Sequence, residues 1–385
     1  MSDAELEARI EANKKIYTEH FDPLYVEALV ENLFETIDET WFRSRFIGFD
    51  AMPERNNPDV PLILASNHSG MAFPWDAIVF VGGLARIHKF EKKASLRPLT
   101  APMLSQSTLM NPYLIKNFWK RAGGVDASTL NFETLMRQKE SNILIYPEGV
   151  AGIGKGFNRR YQLQKFATSI LRMSLKYKTD VIPFATINGE YINPYVYSFD
   201  PVNKLVQKIG VPFIPVGLLT TLLPFFPWLF YFAFPANLTF IRGKRIKPYE
   251  IIDRPFEEVT RADLEKLRDE MHAQMQRQFD QAVEEFGQQP FRARHLVKCC
   301  FKNKHNFPFF LPVGWPFLFT EFERQYQKTI GKMKKMRLSF GRLFKFIFRN
   351  PITLAYFIPI LGWIPILIKG YRENSIKSKK QESKT

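Results

Sequence analysis

Three short apolar runs that end in turn residues constrain the fold of this chain more than any other feature. They are Val60–Ser66, Asn142–Tyr146 and Val181–Ile187, and segments with helical periodicity lie between them. Strands that are apolar throughout and alternate with helices are typical of a parallel sheet that is covered on both faces. The sequence therefore predicts an α/β fold with a mostly parallel central sheet flanked by helices.

Helical patterns lie on both sides of this central part. Residues 1–45 place apolar side chains at three-and-four spacing, which predicts N-terminal helices. Pro74 and Asp76 suit the first turn of another helix. Thr260 and Asp263 resemble a capping box at the start of the clearest helix, and Gly287 can end it. A further helix is expected to carry Tyr161, Leu163, Phe166, Ile170 and Met173.

The chain divides into four parts by composition. We expect an N-terminal helical segment (1–50), a central α/β domain (51–250), an amphipathic helix (251–290) and a basic, aromatic C-terminal region (291–385). A last strand is expected near residues 240–248. At 385 residues, the chain is long enough for one large domain with an appendage.

The excess positive charge lies entirely in the C-terminal region. The formal net charge is +16, and residues 291–385 contain 20 Lys and Arg against 4 Asp and Glu. These basic residues flank long uncharged runs of Leu, Ile, Phe and Trp. That pattern favours an anionic membrane surface as the partner, and it argues against nucleic acid, which would favour exposed basic stripes.

Two uncharged stretches also suggest contact with lipid. Ile209–Ile241 has 33 residues without a charge, but its five prolines argue against one straight helix. We expect a broken, interfacial or re-entrant element, with a loop-and-strand pair in the hydrophobic core as the alternative. Pro351–Ile368 has 18 uncharged residues, the borderline length for a membrane span. Whether either stretch crosses a bilayer stays open.

The cysteines and the N-terminus predict the compartment. Cys299 and Cys300 are the only cysteines and are adjacent, so we expect no structural disulfide and a reducing environment. The first residues are charged and lack the apolar core of a signal peptide. We therefore expect a protein on the cytoplasmic face of a membrane, bound peripherally, monotopically or through its C-terminal hydrophobic segment.

The stretch SNHSGMAFPWDA, residues 66–77, contains a candidate catalytic pair. A histidine beside an aspartate can act as a general base, because the carboxylate orients the imidazole and stabilises its cation. His68 follows the first strand, and Asp76 lies in the turn that opens the next helix. The spacing alone leaves two alternatives open: a catalytic pair, or a polar loop residue beside a carboxylate at a helix N-terminus.

The second strand leads into Pro147-Glu148-Gly149 and a glycine-rich loop. Gly149, Gly154 and Lys155 match most of a P-loop, but Gly156 stands where the metal-binding Ser or Thr is required, so nucleotide binding is only an alternative. Lys155 and the backbone of the loop could still bind an anion. The chain has no G-x-S-x-G motif, which favours direct transfer without a covalent enzyme intermediate.

Taken in order, these motifs resemble the glycerolipid O-acyltransferase family, which includes the 1-acylglycerol-3-phosphate acyltransferases. The resemblance covers roughly residues 59–246. The residues that carry it are Asn67-His68 with Asp76, Gly123-Gly124-Val125, Tyr146-Pro147-Glu148-Gly149 and Val181-Ile182-Pro183-Phe184.

The resemblance implies transfer of a fatty acyl group from acyl-CoA or acyl carrier protein to a hydroxyl of a glycerolipid such as a lysophospholipid. It implies His68 as general base, Asp76 as the residue that orients it, and no metal or other cofactor. Residues implied to bind substrate are Asn67, Ser69, Gly70, Glu148 and Gly149.

The chain departs from the family pattern in two places. The commonest pattern has its aspartate five positions after the histidine, where this chain has Phe73. A longer spacing occurs among related sequences, so we assign the role to Asp76. The family also has phosphate-binding arginines at places that correspond here to Asp126-Ala127 and Val150-Ala151. Residues further along the loop could substitute for them: Lys155, Arg159 and Arg160.

These departures leave the acceptor open. A lysophospholipid, a diacylglycerol and another lipid alcohol all remain possible acceptors. A non-catalytic membrane-binding protein on the same scaffold is the alternative from a different class. The sequence does not indicate the oligomeric state.

Overall fold

A computed structural model describes residues 3–70, 73–106, 108–208, 213–329 and 331–370. Nine strands occur in this part of the chain. They are β1 (Arg45–Ile47), β2 (Ile63–Ser66), β3 (Leu96–Thr100), β4 (Val125–Asp126), β5 (Asn142–Ile145), β6 (Val181–Ile187), β7 (Val196–Tyr197), β8 (Val216–Gly217) and β9 (Thr239–Arg242).

Seven of the strands form the central sheet, in the order β1-β9-β6-β2-β5-β3-β4. The five strands from β6 to β4 run parallel to one another, and β9 is antiparallel to β6. The strands β7 and β8 pair separately. The prediction of a mostly parallel sheet flanked by helices is confirmed, and the antiparallel pair lies near one edge.

Sixteen α-helical segments accompany the sheet in the described residues. They are α1 (Asp3–Asn13), α2 (Pro23–Leu29), α3 (Glu35–Ile37), α4 (Trp75–Ile87), α5 (Pro102–Gln106), α6 (Phe118–Arg121), α7 (Thr129–Leu135), α8 (Val150–Ile153), α9 (Ser169–Tyr177), α10 (Asp200–Gln207), α11 (Leu218–Leu222), α12 (Pro248–Ile251), α13 (Arg261–Phe286), α14 (Ala293–Lys302), α15 (Trp315–Thr329) and α16 (Phe340–Arg349).

The capping box of α13 is confirmed. The Thr260 side chain accepts from the Asp263 N–H, and the Asp263 carboxylate accepts from the Thr260 N–H. The prediction of one helix that carries Tyr161 to Met173 is wrong for its first half, because α9 begins only at Ser169. Ile170 and Met173 do lie in α9. The backbone N–H groups of Leu163 and Gln164 donate to side chains elsewhere in the fold instead of to a helix.

Apolar side chains cover both faces of the sheet. Along β2 and the residue before it, Leu62 and Leu64 belong to one buried cluster, and Ile63 and Ala65 belong to another. Successive side chains of a strand point to opposite faces, so the two clusters lie on opposite sides of the sheet. Both are fully buried, which explains why this strand reads as a continuous apolar run.

The C-terminal region is part of the first of these clusters. Trp315, Phe319 and Phe322 of α15 are buried there, together with Phe346 of α16. The Tyr25 hydroxyl of α2 donates to the Glu323 carboxylate, which ties this region to the N-terminal helices. Described side chains from Phe309 to Ile366 therefore pack onto the same core as the sheet.

The uncharged stretch 209–241 is divided into short pieces where the structure describes it. It forms β8, α11 and a 3-10 turn at Pro227–Tyr231, and Ala233, Ala236 and Leu238 are fully buried. Within the described residues, none of the helices combines the length and the apolar character that a bilayer crossing requires.

Gly83 of α4 is packed against β1, and α4 carries Asp76. A methyl group at Gly83 would overlap the ring of Phe46. We expect Gly83→Ala to lower the free energy of unfolding by about 1–3 kcal/mol, because overpacking forces the ring to move. Urea titration followed by circular dichroism measures this.

Gly341 of α16 provides the matched control, because nothing lies within 4 Å of a methyl group placed there. Gly341→Ala should leave stability unchanged or raise it, since alanine is the better helix former. Equal effects of the two substitutions would contradict the packing of α4 against β1.

Candidate active site

His68 lies two residues beyond the end of β2, where the chain leaves the sheet. Its imidazole stacks on the ring of Tyr146, with the centroids 4.2 Å apart and the planes inclined by 24°. Tyr146 directly follows β5, the strand next to β2. Because β2 and β5 are parallel, their carboxyl ends meet at one edge, which is where open α/β sheets place their sites.

The carboxylate of Asp76 accepts a hydrogen bond from the imidazole of His68. Its Oδ2 lies 2.8 Å from His68 Nδ1 and 3.0 Å from the backbone nitrogen of Ser69, and its side chain is completely buried. A carboxylate at Nδ1 favours the tautomer that carries its proton there and leaves Nε2 as the basic nitrogen. The structure thus brings the sequence-predicted pair together, across the left-handed backbone of Gly70 (φ +118°).

Glu148 is buried beneath this pair and binds backbone. Its two oxygens accept from the N–H of His68 at 2.9 Å and the N–H of Gln164 at 2.6 Å. Burial raises the pKa of the Glu148 carboxyl, whereas the charge of Lys155 and both N–H donors oppose that shift. The resemblance implies an acceptor-binding Glu148, but here its carboxylate is occupied in holding His68.

Lys155 is buried as well. Its Nζ lies 3.0 Å from a carboxylate oxygen of Glu190, and both side chains are about 2% exposed or less. Burial alone lowers the pKa of Lys155, but Glu190 and Glu148 outweigh it, so the pKa of this ammonium is raised. Lys155 therefore neutralises two internal carboxylates and does not present its charge to a phosphate outside.

The remaining residues implied by the resemblance lie at the ends of β2 and β5, and most of them are hydrogen-bonded within the fold. The Asn67 amide donates to the Thr186 carbonyl at 3.0 Å and accepts from its N–H at 2.8 Å, which pins the end of β2 to β6. The Gly70 carbonyl accepts from the Asn193 amide, and Ser69 Oγ is buried. Gly149 adopts φ +56°, a conformation that favours glycine at the turn before α8.

An apolar cavity of about 720 Å³ opens beside His68. Ile78 of α4 and Phe34 of the N-terminal helices line it, as do Met103 of α5 and Leu219 of α11. Among the described lining residues, His68 is the single histidine, and none is a lysine, arginine, aspartate or glutamate. A cavity of this size and character suits a lipid chain.

Arg159 and Arg160 do not contribute to this cavity. Arg159 pairs with Asp200 at 2.7 Å, and the guanidinium of Arg160 lies 4.9 Å from the ring centre of Phe157. Neither lines the space beside His68, whereas Ala127 and Val150 do. The role of Arg159 and Arg160 in binding substrate therefore stays a prediction, and in this structure their guanidinium groups lie against Asp200 and Phe157.

Sequence reasoning missed several residues of the site. The sequence patterns assign no role to Tyr146, which stacks on His68, or to Glu190 and Asn193, which bind Lys155 and the Gly70 carbonyl. Glu190 and Asn193 follow β6 in the stretch NGEYIN, residues 188–193. Their signal was the same as for His68 and Glu148, namely polar residues directly after a buried strand. No group of His, Cys, Asp or Glu within the described ranges could hold a metal ion.

The comparisons with known proteins add relatives without a stated activity. No protein-family model matches the chain, and no solved structure matches it. An uncharacterized protein of Mycobacterium leprae is 27% identical over 225 residues, which cover 58% of this chain and 54% of that protein.

Uncharacterized proteins of Mycobacterium bovis and Mycobacterium tuberculosis are each 27% identical over 197 residues, 51% of either chain. The chain thus spans about half the length of the curated relatives it matches. Any functional conclusion therefore rests on the site.

The buried lysine generates a test of this arrangement. We expect Lys155→Met to lower the free energy of unfolding by about 3–5 kcal/mol, because it leaves two buried carboxylates without a counter-ion. The double variant Lys155→Met with Glu190→Gln should recover part of that loss. Thermal and urea unfolding measure both.

Lys139 provides the control, because its ion pair with Asp59 is exposed. Lys139→Met should change stability little, since exposed pairs contribute little. If Lys155→Met is as mild as Lys139→Met, the charge balance described for Glu148 and Glu190 is wrong.

Proposed function

We propose that this protein is a membrane-associated O-acyltransferase that transfers a fatty acyl group from acyl-CoA or acyl carrier protein to a hydroxyl of a lipid. The observation that carries the proposal is the His68 imidazole, held 2.8 Å from a buried carboxylate and facing a large apolar cavity. A positioned base beside a lipid-sized space suits proton removal from a lipid hydroxyl.

The reaction needs a single proton carrier. His68 Nε2 accepts the proton of the acceptor hydroxyl as its oxygen bonds to the thioester carbonyl carbon. Collapse of the tetrahedral intermediate breaks the carbon–sulfur bond, and the leaving thiolate takes the proton from the imidazolium. The charge of Asp76 stabilises that imidazolium, as in other histidine–carboxylate pairs.

The surroundings of His68 keep the base in one position. The ring is stacked on Tyr146, its Nδ1 is bonded to Asp76, and its backbone N–H is bonded to Glu148. Fixing a catalytic group in the geometry of attack removes entropy from the barrier. The apolar cavity would hold the acyl chain or the acceptor chain and exclude water.

The first test removes the base. Purified wild-type protein with labelled acyl-CoA and a panel of lipid hydroxyl acceptors should form an acylated lipid. We expect His68→Ala to reduce kcat by about 10²–10⁴, the typical contribution of a general base. His305→Ala, at an exposed histidine, serves as the control and should be fully active.

Absence of acyl transfer by the wild-type protein to every acceptor would contradict the proposal. Binding to vesicles without turnover would favour a non-catalytic membrane-binding protein, and nucleotide binding would favour the P-loop alternative.

The second test concerns the partner of the base. Asp76→Asn should lower kcat strongly, because the amide cannot stabilise the imidazolium and permits the wrong tautomer. Circular dichroism should verify that the fold is retained, since the carboxylate also accepts from the Ser69 N–H. Full activity of this variant would refute the pair while leaving His68 as the base.

Two exposed apolar surfaces support the membrane part of the proposal. On α16, Phe340, Phe344 and Phe348 are 55%, 55% and 83% exposed and share one helix face beside basic residues. This combination is typical of interfacial helices that bind anionic lipid. We call these three residues the aromatic stripe.

A second surface lies next to the cavity. The Ile360 N–H donates to the Phe225 carbonyl at 3.2 Å, and the Trp363 indole donates to the Pro224 carbonyl at 3.0 Å, so residues 218–225 and 358–364 are neighbours. This surface, the apolar rim, consists of exposed side chains from both segments: Leu218, Leu222, Phe225, Ile360, Leu361 and Ile364. Leu219 and Leu223 of the same segment line the cavity, so the rim would give lipids a short path to His68.

The aromatic stripe can be tested on vesicles. The double variant Phe344→Glu with Phe348→Glu should bind vesicles of phosphatidylcholine and phosphatidylglycerol at least about tenfold more weakly, because two apolar insertions are lost. Phe344→Leu with Phe348→Leu preserves the apolar face and should bind nearly as well. Unchanged sedimentation of the glutamate variant would show that α16 is not in contact with lipid.

A further inference from the structure

Among the described residues, no positively charged side chain lines the cavity beside His68, and this restricts the acceptors that the site can bind. Among its described lining residues there is no Lys, Arg, Asp or Glu, and the polar groups besides His68 are uncharged, such as Thr100, Tyr146 and Asn193. The structure does not describe the internal residues 71, 72, 107, 209–212 and 330, and each of these positions holds an uncharged amino acid. No residue at those positions can supply a cation.

We propose that the acceptor of the acyl group is an uncharged lipid alcohol and not a lysophospholipid. This inference rests on the proposed function and goes further by naming the substrate class of the same site. It follows from where the acceptor's headgroup must lie and from which charges surround that place.

The hydroxyl to be acylated must reach His68 Nε2. In a 1-acylglycerol phosphate the phosphate is attached to the carbon next to the one that bears this hydroxyl. The phosphate would therefore enter the same apolar space as the hydroxyl. Burying an anion without a counter-ion is costly, and proteins that bind phosphate supply Arg, Lys or clustered N–H donors.

The cations of the loop that follows Glu148 are already paired elsewhere, and so are Arg97 and Arg121, which adjoin lining residues: Arg97 donates to the Gly123 carbonyl and Arg121 to the Glu323 carboxylate. Lys155 is paired with Glu190 and is about 1% exposed, so it cannot turn towards the cavity without leaving Glu148 and Glu190 unpaired. Arg159 is paired with Asp200. A phosphate beside His68 would find no partner among these side chains.

The site is suited to an acceptor that has a hydroxyl and no charge. A monoacylglycerol, a diacylglycerol or a long-chain alcohol would place its hydroxyl at Nε2 and its chains against apolar side chains such as Ile78 and Met103. The product would be a neutral lipid ester. The anionic part of the acyl donor can remain outside, because its thioester lies at the end of a long flexible arm.

The experiment compares two acceptors that differ only by the phosphate. 1-Oleoylglycerol and 1-oleoylglycerol 3-phosphate are presented to the full chain in phosphatidylcholine vesicles with labelled oleoyl-CoA, and hexadecanol and dioleoylglycerol serve as further uncharged acceptors. We expect kcat/KM for 1-oleoylglycerol to exceed that for its phosphate by at least about tenfold, a preference that an unpaired buried anion readily produces.

Equal or faster acylation of the phosphate would overturn this inference and leave the proposed function intact. Acylation of none of the acceptors, with labelled oleoyl-CoA and in a parallel assay with labelled oleoyl-acyl carrier protein, would overturn both. The two failures are therefore distinguishable.

A variant with a new cation tests the reason for the preference. Val150 lines the cavity at the start of α8, and α8 is close to His68, since a methyl group at Gly152 would lie 3.1 Å from the His68 Cβ. Val150→Arg should raise the ratio of phosphate to alcohol acylation by about tenfold. Val150→Leu adds a side chain of nearly the size of arginine but without its charge, so it should leave the ratio of phosphate to alcohol acylation unchanged. An unchanged ratio in Val150→Arg would mean that the missing cation does not determine the acceptor.

Discussion

The carboxylate of Glu148 is the group on which the geometry of the site depends. One of its oxygens accepts a hydrogen bond from the backbone N–H of His68, and the other accepts from the backbone N–H of Gln164. Glu148 thus joins the ends of β2 and β5 to the loop before α9. Such a carboxylate is stable in the interior only with a counter-ion, which Lys155 supplies. The catalytic proposal for His68 therefore depends on a buried carboxylate that binds the backbone of His68 and Gln164.

The cavity depends equally on parts of the chain that lie far apart. Val26 and Phe34 of the N-terminal helices line one side, and the segment from Phe213 to Phe230 lines another. The C-terminal region stabilises both, since its aromatic side chains share their buried cluster. The segments that carry the aromatic stripe and the apolar rim are consequently anchored to the folded core, and this fixes the distance of both surfaces from His68.

The fold was predictable where one local pattern was strong. The buried strand Val181–Ile187 and the capping box at Thr260 have the bounds that the sequence indicates. The strands β1, β3 and β4 were missed because they are only two to five residues long and contain polar residues or proline. The helix expected from Tyr161 fails since Glu148 and Gln276, both remote in sequence, capture the N–H groups that a helix would need.

The sequence by itself determined which residues meet at the edge of the sheet. Apolar strands that alternate with helices run parallel, and their carboxyl ends place His68 and Glu148 side by side. Only the tertiary structure decided that Asp76 reaches His68, and that Lys155 turns inward to Glu190 instead of outward to a phosphate. Those outcomes depend on the direction of side chains across loops and on charges that come together only when distant segments pack, which a linear pattern does not contain.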